Sequence, residues 1–269
     1  KFLTKSWVPL AESGAESTVF SGLVLGFLIS FRNNTAYDRW WEARKLWGQL
    51  INDVRNLCIK VKDLHDIPAE DRHEVGTILA KFGNELKVHL RRGEPSPAPG
   101  SDKDPERKET RVATNRPIML ANDLYQILGR WRRDGLIDGM GLLWLDPHAK
   151  ALMDICGACE RIRNTPLAPS YRGLLRHGIA LYLAVGPIYT VEDSGIMFLP
   201  LFMLGSYFLL GLEFVAEDVE EPFGKGGDNL ALENYCVTIE RSVEQILGVS
   251  VDAGVSYEKI LPHNPVLAK

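Results

Sequence analysis

The chain has 269 residues, 45% of them hydrophobic and 25% charged, with a formal net charge of −4. That length fits one large domain or two small ones, and no excess of Lys and Arg is present to neutralise phosphates, which excludes a nucleic-acid-binding footprint. Four cysteines in a chain of this size do not form a disulfide framework.

The chain opens on Lys1 rather than Met and shows no signal-peptide pattern, so an upstream segment is expected. From Thr18 to Phe31 the residues are apolar or small. This run is short of the roughly 20 residues that cross a bilayer, but a helix lining a water-filled pore can be polar on one side and beyond its ends. No proline occurs between Leu10 and Pro68, so one long helix can continue through the Trp- and charge-rich stretch to about Lys62. Pro68 to Arg92 reads as an amphipathic helix, with Val75, Ile78, Leu79, Phe82, Leu86 and Leu90 at three- and four-residue spacings.

Between Gly93 and Thr114 the composition turns to proline, serine and charge (GEPSPAPGSDKDPERKET at its start). Such a segment buries too little apolar surface to offset its ordering entropy, and an exposed or disordered loop is expected. Helical spacing resumes at Pro117 and runs through Leu124, Leu128 and Trp131. A further helix is expected from Pro147 to Arg163, ending before Pro166. It carries Cys156 and Cys159, a CxxC without a second pair at zinc spacing, which reads as structural.

Two apolar blocks follow, Leu174 to Val191 and Gly195 to Ala216, separated by the polar residues Glu192 to Ser194. Each is about long enough to span a membrane, and the break between them is hairpin-sized. Basic clusters at Arg32 to Lys45 and Arg161 to Arg176 place those flanks in the cytoplasm by the positive-inside rule. Counting the first apolar run, three spans are expected.

On a helix, Val19, Leu23, Phe27 and Phe31 recur at four-residue intervals and form one stripe, with Gly22 and Gly26 as a GxxxG on a neighbouring face. Two readings stay open for the stripe. It packs against other helices, or copies of it surround an axis and form a hydrophobic constriction.

The stretch FRNNTAYDRWWEARKLWG at 31–48 closely resembles the signature of the bestrophin family, especially its prokaryotic and fungal branch. CERIRNTP at 159–166 and EPFG at 221–224 are similar to two further family elements, in the same order. The resemblance implies an all-α membrane protein that assembles as a homopentamer with the pore on the five-fold axis. It implies an ion channel whose neck is made by Leu23, Phe27 and Phe31, with Val19, Leu23 and Phe27 as an alternative register. Arg39, Trp40, Trp41 and Glu42 belong to the signature. The tryptophans read as interface anchors, and Arg39 is expected to pair with Asp38 or Glu42. A second, cytosolic aperture is expected near Lys150 to Met153.

The layout that follows is an N-terminal segment with the pore helix at 1–32, cytosolic helices at 33–92 and 115–170, and the loop at 93–114. A membrane hairpin at 171–216 and a cytosolic C-terminal segment at 217–269 complete it. Animal members carry an acidic calcium clasp after the Pro-Phe-Gly element. Here the run is Lys225-Gly-Gly-Asp228-Asn229, so a degenerate site without bound calcium, and no other metal or cofactor, is expected. Small monovalent ions and the lipid bilayer are the implied partners, with anions such as chloride favoured. A cation-selective channel of the bacterial type is the alternative, and a non-conducting membrane scaffold is the reading from another class. Six scattered histidines form no HExxH and no nucleophile has a base beside it, so no enzyme is expected.

Overall fold

The computed structural model describes residues 14–91 and 115–249. Every regular element among them is helical: α1 Gly14–Asp63, α2 Ala69–Arg91, α3 Arg116–Arg133, α4 Gly139–Asn164, α5 Pro169–Ser194, a 3-10 turn Ile196–Phe198, α6 Leu199–Glu220 and α7 Leu232–Leu247. At 1.5 Å per residue α1 is about 75 Å long. The proline-rich loop at 93–114 lies outside the described residues. The chain divides into two compact units, one of residues 1–41 and 166–229, the other of 42–165 and 230–269.

In the first unit the N-terminal part of α1 packs with α5 and α6. Leu25 and Ile29 meet Leu175 and Ile179, and Tyr171, Tyr182, Leu209 and Leu210 close around them. Tyr171 donates its hydroxyl to the Leu28 carbonyl at 2.9 Å, which satisfies a polar group at the edge of this apolar contact. The α5–α6 hairpin turns at Gly195, whose φ of +80° suits glycine. Residues 192–194 are therefore the last turn of α5 rather than a break, and the reversal is made by Gly195 with the 3-10 turn Ile196–Phe198. The hairpin closes tightly, since a Cβ on Gly186 would run into the Phe202 ring.

Two helical stretches are long and apolar enough to cross a membrane, Pro169–Glu192 and Ile196–Glu220. Only 17% and 6% of their apolar windows are buried within the chain, unlike the core helices of a water-soluble domain. The N-terminal part of α1 does not qualify by the same measure of length and apolarity.

The second unit is a conventional helical core. Trp47, Leu50, Val54 and Leu57 of α1, Leu79, Phe82 and Leu86 of α2, and Leu124, Leu128 and Trp131 of α3 are all fully buried. Every apolar position expected to line α2 is buried. Helix α4 begins eight residues before Pro147, where a start was expected. Asp138 caps it by accepting from the Gly141 N–H at 2.7 Å, and Pro147 is carried inside the helix. Cys156 and Cys159 are buried on α4, and burial pushes the Cys156 thiol up to about 12, so the CxxC is inert packing. In the turn expected to form a lower aperture, Ala151 and Leu152 are buried, while Lys150 reaches out to Asp154 at 2.5 Å.

Candidate pore helix and its buried ion network

At 3.6 residues per turn, Leu25, Ile29, Arg32 and Ala36 share one face of α1, and all four are buried. Leu23, Phe27 and Phe31 fall on the roughly opposite face and are 69%, 62% and 52% exposed. Among the described residues the stripe is therefore left largely uncovered. The Phe27 and Phe31 rings meet edge to face, with centroids 4.6 Å apart and planes at 89°. Val19 continues the helix, but its side chain lies outside the described residues.

The two glycines of the GxxxG divide. A Cβ on Gly22 would lie 3.1 Å from the Tyr182 hydroxyl of α5, whereas Gly26 faces open space. The matching close approach from α5 comes at Gly178, where a Cβ would lie 2.9 Å from Leu25. That second glycine was not singled out from the sequence, because its partner is about 150 residues away in the chain and only the helix crossing reveals it.

Below the stripe in sequence, Tyr37, Trp40 and Trp41 stack with centroids 6.2 to 6.4 Å apart and planes within 20° of parallel. Trp40 donates its indole N–H to the Asp228 carbonyl at 3.0 Å, and Arg39 Nε donates to the Glu220 carbonyl at 3.3 Å. Glu42 pairs with Arg161 at 2.7 Å. This pair ties the 31–48 stretch to the 159–166 stretch within the second unit.

The buried face of α1 holds a charge. Arg32 is fully buried and pairs with Glu213, and its other terminal nitrogen lies 3.5 Å from Glu220. Both glutamates project from α6 and are themselves buried. Arg176 of α5 reaches Glu213 at 3.5 Å and Glu217 at 2.7 Å, and Arg172 lies 4.0 Å from Glu220. The Glu220 carboxylate also accepts the Leu167 N–H at 3.0 Å. Arg32, Glu213 and Glu220 are the buried charges of this set, and Arg176 and Arg172 reach the two acids from more exposed positions, so each buried charge faces one of opposite sign. In the sequence Arg32 reads only as a flanking basic residue. The missed signal is its place on the Leu25–Ile29 face, where a charge requires a partner of opposite sign.

After α6 the chain closes on Asn229. Its amide nitrogen donates to the carbonyls of Asp218 at 3.0 Å and Glu221 at 2.5 Å, and its oxygen accepts the Gly226 N–H. Calcium takes six to eight oxygen ligands. Here the Asn229 oxygen and the carbonyls of Asp218, Glu221 and Asp228 each already face a donor. Among the described residues no group of three or more His, Cys, Asp and Glu could hold a metal ion. Asn229→Asp should remove the donor and set a carboxylate against two carbonyl oxygens, at a cost of about 1–3 kcal/mol. Thermal unfolding of the solubilised protein reads this, and an unchanged midpoint would sink the bonding scheme.

Residues 2–245 match the sequence profile described as Bacterial/Fungal Bestrophin protein. A voltage-dependent anion channel-forming protein of Ralstonia nicotianae is 34% identical over 254 residues, covering 90% of this chain and 80% of that one. One of the same description from Mesorhizobium japonicum is 36% identical over 232 residues, covering 84% and 73%. A crystal structure of a bacterial bestrophin homologue from Klebsiella pneumoniae superimposes with a TM-score of 0.75 at 26% identity, covering 92% of this chain and 93% of that one. With its two apolar helices left largely uncovered, this chain is an integral membrane protein and belongs to the bacterial/fungal bestrophin family.

Proposed function

We propose that the chain is one subunit of a channel for small anions, in which copies of α1 surround an axis and Leu23, Phe27 and Phe31 form an apolar neck. The observation that carries this reading is the exposure of that stripe on a helix whose other face is buried. A row of large apolar side chains left open to water is costly, and gathering copies around an axis removes it from bulk solvent. The family resemblance supports five copies. In such a neck an ion finds no replacement for its hydration shell, so the constriction is a barrier and a gate. Arg39, Trp40 and Trp41 then hold the helix at the membrane interface rather than touch ions.

Two features support anions. The relatives from Ralstonia and Mesorhizobium carry anion-channel names. The perpendicular Phe27 and Phe31 rings cannot both turn their faces to one axis, so at least one presents its positive edge. The test is the reversal potential of the reconstituted protein under a potassium chloride gradient. A value near the chloride equilibrium potential is expected. One near that of potassium would move the chain to the cation-conducting reading. Silent intact oligomers, still silent after Phe27→Ala, would favour a scaffold.

A further inference from the structure

We propose that Arg32 is a positioning residue for conduction, clamped between Glu213 and Glu220 of α6 so that the rotation of α1 is fixed. The inference rests on the apolar-neck reading and adds what aims the neck.

The rest of the buried face near the stripe is Leu25, Ile29 and Ala36. Apolar contact of this kind is non-directional and tolerates a helix turning or sliding by a small step. A guanidinium donating to carboxylates is directional, and its planar fork fixes an orientation that an ammonium does not. Arg32 directly follows Phe31 and lies five residues after Phe27, on the same uninterrupted helix. Whatever sets the azimuth of Arg32 therefore sets theirs.

The network is poorly suited to stability alone. Among the described residues Arg32 Nε and Nη2 and Glu213 Oε2 are buried without a hydrogen-bond partner, so Glu213 takes the hydrogen bond and Glu220 faces Arg32 as an ion-pair partner at 3.5 Å. A buried ion pair left partly unsatisfied is a weak source of stability compared with apolar packing, and register is the best-attested use of such pairs. The α5 arginines add a second tier. Arg176 and Arg172 contact the same two glutamates, so the clamp joins α1, α5 and α6.

The experiment uses the full chain reconstituted in planar bilayers, with a water-soluble methanethiosulfonate reagent reading the accessibility of Phe27→Cys from the current. The four native cysteines are buried, and the parent chain is the control. Reagent should alter the current of Phe27→Cys. Adding Arg32→Lys, which keeps the charge, should slow that modification about tenfold and raise modification at Val24→Cys. Glu213→Gln, isosteric and uncharged, should act in the same direction and serves if the lysine variant fails to assemble. An unchanged rate at position 27 in both backgrounds, with oligomers of the parent size, overturns the clamp. Insensitivity of Phe27→Cys alone would instead overturn the neck reading, and the inference with it.

Discussion

Replacing Arg32 with methionine is expected to lower the stability of the membrane unit by about 3–5 kcal/mol, the range seen when one partner of a buried pair is removed. Methionine matches the length of the arginine stem, so the loss is electrostatic rather than one of packing. The truncated guanidinium leaves Glu213 and Glu220, both nearly inaccessible, with the outer arginines at 3.5 and 4.0 Å and, on Glu220, the Leu167 N–H at 3.0 Å. Arg176 is half exposed and shared with Glu217, so it offsets little of the loss. A second variant, Arg32→Met with Glu213→Leu, removes the buried pair as a whole and should recover much of the stability. Thermal unfolding of the protein in bicelles gives both numbers. If the double variant is as destabilised as the sum of its singles, the two residues are not coupled and the network is misassigned.

The same residue shows what sequence reading could and could not reach here. Helices α1 and α2 were legible because their determinants are local: no proline interrupts α1, and α2 repeats apolar residues at three and four. The start of α4 was not, because Pro147 carries a strong first-turn signal that the earlier Asp138 cap overrides. The hairpin break was displaced for a similar reason, since Glu192 to Ser194 look like a loop by polarity while the reversal falls at Gly195 and the 3-10 turn after it.

At the candidate site, the Leu23–Phe27–Phe31 stripe follows from helical spacing alone. The pairing of Arg32 with Glu213 spans 181 residues and that of Glu42 with Arg161 spans 119, distances over which periodicity carries no information. Asn229 is a further case. Its position suggested a remnant ligand, and its actual partners are backbone groups that only the folded loop brings near.

Phe27→Ala should raise the current at fixed voltage by about tenfold or more, equivalent to lowering the barrier by at least ~1.4 kcal/mol. Each copy would lose a phenyl ring from the proposed neck, which would then widen and wet, so that the ion keeps more of its hydration shell. The same change should cost the fold little. Phe27 is 62% exposed, and its ring contact is with Phe31 of the same helix, worth roughly 0.5–1.5 kcal/mol.

Ile29, two residues on, provides the contrast. It is 1% exposed in the α1–α5 contact, so Ile29→Ala should cost about 2–5 kcal/mol. Its side chain points away from the stripe, so surviving channels should conduct as the parent does. Conductance in bilayers and unfolding in detergent separate these outcomes on one helix. A scaffold has no reason to divide them, and would show a stability loss at Ile29 with no current to change at Phe27. Parent-sized currents from Phe27→Ala in intact oligomers would place the barrier elsewhere on the conduction path.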